Sequence, residues 1–453
     1  MKWRLASGYF AYFLCGWGDG VTGTVLPYFT AEFHLTAMTS SLLFAGSTCG
    51  FAFGTVLVES ILKALGRIPL GAGRNNIVPP RVARLFSARN SAGGYSASQA
   101  RSLTLAIACI LHGVHFIMIG LKGGFGVTFL AYAVAAFARA LLTGELLNPI
   151  RALGYSYAFW SFGGVMSPII CQSIVASGVP WFHFYFGSLV LSGLNTTFLI
   201  SSFKPTRREF QKEREPLNGL RSPTETISSS NLPSPTNERD SLPLSNAQPV
   251  LPPPANMFRV ALTMPYQWAF SIFAMIYCGS ETATQGFMVT YLLATRNANP
   301  KTVGYVTSGF WGGITIGRLT WGYASPRLNF TQKKFVILGS MCVFFYTFLI
   351  WFVDSTVQNS VSASIFGVLY GPIFPACLSM ANSLLPSEVH MVSMTLISTF
   401  ASIGSSLFPF IAGVISSTKG AHTLTYLTVP LGITMICLWS LFPSRIPVRI
   451  HTN

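Results

Sequence analysis

Charge is scarce in this chain. Asp, Glu, Lys and Arg together make up 9% of its 453 residues, against about 25% in a soluble domain. That deficit excludes an extensive water-facing surface, so lipid must be the main solvent. It also excludes a large soluble catalytic domain, because no long stretch has ordinary composition. Acids are scarcest, 13 against 29 Lys and Arg. The bases sit in loops between apolar runs, which points to membrane topology and not to nucleic acid. Cysteine pairs are missing too. Cys15, Cys49, Cys109, Cys171, Cys278, Cys342, Cys377 and Cys437 each lie inside an apolar run, and none forms a CxxC pair. Neither a disulfide framework nor a metal site is expected. The chain shows no phosphate loop, nucleotide motif, HExxH or nucleophile elbow. An enzyme, an ATP-driven pump and a bound cofactor are therefore not expected. Nor is a cleavable leader, because the first apolar run is too long and holds an acid.

What abounds is apolar sequence, 51% of the residues. It falls into runs at roughly 8–29, 39–63, 101–121, 124–147, 154–177, 181–203, 260–294, 302–323, 334–353, 361–385, 389–416 and 421–442. A membrane helix needs about 20 such residues. The expectation is an all-α membrane protein of twelve transmembrane helices, arranged as two six-helix bundles over 1–203 and 260–453. Run 260–294 is long for one span and leaves room for an interfacial stretch. Between the bundles, 204–259 holds ten prolines and reads as a disordered cytoplasmic linker. The loop 66–100 reads as a basic cytoplasmic segment. With both termini in the cytoplasm, Lys122, Arg296, Lys301 and Lys419 are the only bases on the outer side. The opposite orientation inverts that bias and is rejected. The plasma membrane is the expected location.

The two halves repeat each other. Gly46, Gly50 and Gly54 form GxxxGxxxG in run 2, and Gly309, Gly313 and Gly317 form it in run 8, 263 residues later. Asp19 and Tyr28 of run 1 correspond to Glu281 and Tyr291 of run 7, at offsets of 262 and 263. Pro168 corresponds to Pro409 at an offset of 241, and the longer loop after run 2 accounts for the change. Duplication of this kind implies a pseudo-twofold axis along the membrane normal. Glycines spaced by four let another backbone approach closely. Such a surface suits either static packing or a helix pair that slides.

Several stretches resemble the major facilitator superfamily. Gly54…Glu59…Gly66-Arg67 and Gly317-Arg318-Leu319…Gly322 resemble its signatures after spans 2 and 8. Gly367-Val-Leu-Tyr-Gly371-Pro372-Ile-Phe-Pro375 and Gly279-Ser-Glu281…Val289-Thr-Tyr291 are similar to fungal members of its fucose-permease-like branch. The resemblance implies a central cavity lined by spans 1, 4, 7 and 10 and worked by alternating access. It implies helix-packing or gating roles for the two glycine rows and for Glu59, Arg67 and Arg318.

An ionised group at mid-bilayer costs about 2.5–3.5 kcal/mol on insertion scales, so it needs a partner, water or a function. Asp19, Arg139 and Glu281 lie well inside spans 1, 4 and 7. We expect Asp19 and Glu281 to line one aqueous cavity, where a carboxyl can load and release a proton or hold a cationic solute. A structural Asp19–Arg139 bridge is the competing reading. Tyr28, Tyr291, Tyr370, Trp160 and Asn382 are further candidates for shaping the pocket. His112 and His115 share a helix face, but no third metal ligand is evident. The function expected is proton-coupled secondary transport of a small organic solute by a monomer in the bilayer. A sugar-like importer should have a pocket of neutral hydrogen-bonding groups and stacking aromatics. An exporter of an amine-bearing metabolite should use Asp19 or Glu281. A non-transporting nutrient sensor is a more distant alternative.

Overall fold

A computed structural model of the chain describes residues 2–66, 96–146, 153–205, 257–342, 353, 355–386 and 389–444. Arg67, most of the 66–100 loop and linker residues 206–256 lie outside the described residues. In lipid, each backbone N–H and C=O must be paired within its own segment, which makes the helix the default for every apolar run. The N-terminal half comprises α1 (Lys2–Gly20), α2 (Thr22–Glu32), α3 (Ala37–Gly66), α4 (Ala97–Gly120), α5 (Gly124–Leu146), α6 (Leu153–Ala176) and α7 (His183–Phe203). The C-terminal half comprises α8 (Met257–Thr263), α9 (Pro265–Arg296), α10 (Tyr305–Ala324), α11 (Phe330–Met341), α12 (Thr356–Tyr370), α13 (Ile373–Leu384), α14 (His390–Lys419) and α15 (Leu424–Leu441). Among the described residues, eight helical segments are long and apolar enough to cross a membrane by themselves. The fold is the all-helical, twelve-span arrangement of two six-helix bundles.

Local chemistry explains the segment ends. Ser96 caps α4 by accepting from Gln99 N at 3.3 Å, and Asn329 and Gln332 form a capping box at α11. The long run near 260–294 divides at Pro265, which opens α9 where its missing N–H costs nothing. Span 10 divides at Gly371-Pro372 between α12 and α13, because proline removes a helical hydrogen bond.

The duplication is visible in the packing. α1 packs on α6 as α9 packs on α14, and α3 packs on α5 as α10 packs on α12. The glycine rows serve the second pairing. A Cβ at Gly50 would strike the Ala133 carbonyl of α5, and one at Gly313 or Gly317 would strike the backbone of α12. The rows therefore join helices inside each half and do not lie on the surface between halves. That surface is made by α6 against α10 and by α3 against α14.

Arg4 Nε donates to Ser202 O at 3.1 Å, so the start of α1 sits beside the end of α7. We call this the terminal face. At the opposite face the halves share one apolar core, which runs from Val25, Phe29 and Leu43 to Phe287, Leu292 and Val303. Hydrogen bonds cross there from Thr24 Oγ1 to Gly304 O (3.4 Å), Gln172 Nε2 to Pro300 O (2.9 Å) and Met38 N to Ser417 Oγ (2.8 Å). Toward the terminal face the cores separate, one around Cys109, Leu141 and Leu199 and the other around Phe273, Ile397 and Trp439.

Candidate functional site: a cavity between the halves and two buried ion pairs

Asp19 sits one residue before the end of α1. Gly16 and Gly20 flank it, and a Cβ at either would strike the α6 backbone at Trp160 or Gly164. Small residues thus let α6 close on α1 and fix the depth of the carboxylate. Arg139 reaches it from α5, and the two form an ion pair. The Asp19 side chain is 27% exposed and the Arg139 side chain 10%.

This pair forms part of the wall of a cavity of about 280 Å³ between the halves. Hydroxyl and amide groups dominate the rest of the polar lining: Thr22, Ser47, Thr48 and Thr143 from one half, and Thr282, Gln285, Ser398, Ser402 and Ser405 from the other. Aromatic walls come from Phe44, Phe51, Tyr132, Tyr157, Trp160 and Phe374. Among the described residues, Asp19 and Arg139 are the only charged groups in the lining, and each neutralises the other. Such a cavity can hydrogen-bond a neutral polar solute along one side and cover its apolar face on the other.

Glu281 is placed differently. It is not in the cavity lining but lies beside it, with Arg318 Nη2 at 3.4 Å from Oε1. Its side chain is 12% exposed and that of Arg318 6%. The second acid therefore has its own partner, on α10 of its own half. Arg318 also crosses to the other half, donating from Nη1 to Ser161 Oγ at 2.6 Å and to Tyr157 O at 3.3 Å.

The remaining candidates divide. Trp160 lines the cavity, whereas Tyr28, Tyr291, Tyr370 and Asn382 do not. Tyr28 packs on the shared core. Tyr291 OH accepts from Arg296 Nη2 at 3.3 Å. Tyr370 stacks on Tyr277 with ring centroids 4.7 Å apart. Asn382 is half-buried on α13. Glu59 pairs with Lys63 at 2.5 Å on an exposed part of α3. His112 and His115 are buried in the N-terminal half beside Phe116 and Tyr132. Sequence reasoning missed the serine row of α14. Ser398, Ser402 and Ser405 recur at helical spacing within an apolar run, and that spacing was the available signal.

Residues 270–452 match the family model described as Major Facilitator Superfamily. The protein named Bypass of stop codon protein 6, from Saccharomyces cerevisiae, is 22% identical over 450 residues, covering 95% of this chain and 80% of its own length. Among solved structures, the nucleoside transporter NupG superposes with a TM-score of 0.63 at 10% identity, covering 97% of this chain and 99% of that one. The fucose:proton symporter FucP of E. coli superposes with a TM-score of 0.55 at 13% identity, covering 96% and 97%. The family match over residues 270–452, the relative spanning nearly the whole chain and the duplicated two-bundle fold agree: the chain resembles the major facilitator superfamily and has the fold of these solved transporters.

Proposed function

We propose that this protein is a secondary transporter that moves a small, neutral, hydroxylated solute by alternating access and draws on a proton gradient. The single observation that carries this reading is the cavity lining. Nine hydroxyl or amide side chains and six aromatic rings surround one self-neutralised Asp19–Arg139 pair. Sugar-like solutes present the matching chemistry, with hydroxyls at the rim and C–H faces that stack on rings. A fucose:proton symporter and a nucleoside transporter share this fold, and fucose and nucleosides are both hydroxylated solutes. With the termini in the cytoplasm of a plasma-membrane protein, the apolar core common to the halves closes the outer end. The cavity then faces inward, one of the two states that alternating access requires. An amine-bearing export substrate fits less well, because Arg139 already neutralises the carboxylate that would hold the amine.

The test is uptake into proteoliposomes. Purified protein is offered radiolabelled hexoses, pentoses, polyols and nucleosides, with and without an acid-outside gradient. The expected result is accumulation of one class that the gradient enhances. Asp19→Asn should lower the initial rate at least about tenfold, the scale of one lost charge-assisted contact. Protein that is monodisperse and inserted yet moves none of these solutes would overturn the transport reading and favour a sensor. Uptake unchanged in Asp19→Asn would remove the role of the cavity pair.

A further inference from the structure

A second cavity, of about 840 Å³, lies on the outside of the N-terminal half. α1 packs against both α6 and α7, whereas α6 and α7 scarcely touch each other. The gap between them is a trough with α1 as its floor. Tyr9, Phe10 and Phe13 of α1, Phe159 and Phe162 of α6 and Phe198 of α7 line it. The rings hold one another in place: Tyr9 stacks on Phe159 at 4.9 Å, and Phe13 meets Phe162 at 5.8 Å between centroids. Thr197 and Ser201 also reach the trough, but their hydroxyls donate to Leu194 O and Thr197 O of their own helix, at 2.9 and 2.7 Å. The trough therefore offers little to a hydroxylated solute and suits a hydrocarbon chain.

Its depth matches one leaflet. Lys2, Ala6, Tyr9 and Phe13 recur at spacings of four, three and four, which is one face of α1. Lys2 thus stands at the mouth of the trough, on the terminal face. From Lys2 to Phe13 the helix runs about 17 Å, and from Lys204 back to Leu194 about 15 Å, at 1.5 Å per residue. Half of a bilayer's hydrocarbon core is about 15 Å. The mouth is basic. Lys2 and Lys204 are exposed, and neither has an ion-pair partner among the described residues. Arg4 lies beside them, donating to Ser202 O and sitting 5.8 Å from the centre of the Phe203 ring. No acid occurs in segments 1–13, 153–162 or 194–205.

We propose that this trough binds one anionic phospholipid, with an acyl chain among the aromatic rings and the phosphate at Lys2 and Lys204. Charge selects the occupant. A sterol leaves the bases unanswered, and a zwitterionic lipid brings its own cation to them. With the termini in the cytoplasm, as the excess of bases predicts, the trough opens in the leaflet that holds anionic lipids. The site lies back to back with the cavity between the halves, since α1 and α6 also carry Asp19 and Trp160. It is independent of the solute proposed above and of whether any solute moves.

Photolabelling tests it. The full-length protein is reconstituted into phosphatidylcholine vesicles with a trace of phosphatidylserine or phosphatidylcholine, both carrying the same diazirine acyl chain. Peptide mass spectrometry then compares the trough, residues 6–13 and 194–201, with a control face on α4, where Ile107, Ile110 and Val114 are exposed. The serine lipid should label the trough about fivefold more than the choline lipid, the scale of one base near the membrane surface, and label the control face equally. Lys2→Gln combined with Lys204→Gln should abolish the preference and leave labelling by the choline lipid unchanged. Ala6→Trp, which fills the mouth, should lower labelling of the trough by both lipids. Labelling of the control face reports that each variant is inserted. Equal labelling of the trough by the two lipids would mean ordinary boundary lipid and would overturn the proposal. A preference that survives the double lysine variant overturns it as well. So does loss of labelling when cholesterol is added in excess, which would assign the trough to a sterol.

Discussion

At the residue scale, the structure distinguishes buried charges that hold the fold from those that line the cavity. Lys334, near the start of α11, is 5% exposed. Its ammonium donates to Ser440 O at 3.1 Å, to Phe442 O and to Ser444 Oγ at 3.2 Å, so it caps the C-terminal end of α15. Lys334→Met keeps the stem but leaves those carbonyls without a donor. It should lower stability by about 2 kcal/mol, read as an earlier thermal transition, with solute uptake at low temperature retained. Arg139 also shows where the duplication stops. The offset that carries Pro168 onto Pro409 carries Arg139 onto Met380, which is buried in the apolar core of the C-terminal half. The second acid finds its base on α10 instead. The two halves solved the same problem, an acid in lipid, from different helices.

At the element scale, the small residues have distinct tasks. Those of the two GxxxGxxxG rows bring α3 onto α5 and α10 onto α12, backbone against side chain or backbone. Gly50→Val would drive two methyl groups into the Ala133 carbonyl region. It should cut the yield of monodisperse protein severalfold, whereas Gly193→Ala, whose added carbon meets nothing within 4 Å, should leave the yield unchanged. Other small residues lie between the halves at the opposite face. Gly23 faces the Gln285 carbonyl, Gly413 faces Ala37 and Ser41, and Gly304 faces Thr24 and Gln172. If alternating access operates, these are the contacts that part. Gly413→Val should therefore speed hydrogen–deuterium exchange at the opposite face while leaving the melting of the separate halves nearly unchanged, which differential scanning calorimetry can check.

At the scale of the whole molecule, two bundles are joined by one large apolar patch at one end, by a smaller apolar cluster where Trp311 of α10 packs with Trp160 and Val165 of α6, and by polar links. Thr48 Oγ1 donates to Ser402 O at 2.6 Å beside the cavity, and Arg318 forms the link on the α6–α10 side. An apolar seal is non-directional, so it can separate and re-form without leaving unpaired polar groups behind. The Met38 backbone N–H donates to Ser417 Oγ across it. Cysteines at both positions, joined by a short thiol cross-linker, should hold the opposite face shut. Uptake should then be lost, and a cleavable linker should restore it on reduction. Transport that continues through the locked protein would be incompatible with rocking of the halves.

Much of this was legible before the fold was known. Scarcity of charge, twelve apolar runs and matched offsets between the halves follow from composition and spacing, because lipid leaves a chain few alternatives to packed helices. The depth of Asp19, Arg139 and Glu281 was also legible, since position along a span is position along the membrane normal. Which base answers which acid was not. Helix rotation and neighbour choice are set by packing among all the spans, and one residue of rotation turns a side chain by about 100°. Only the tertiary structure could put Asp19 on the cavity wall and Glu281 beside it, bring three serines of α14 to the same cavity as Trp160, and lay Arg318 across the boundary between the halves.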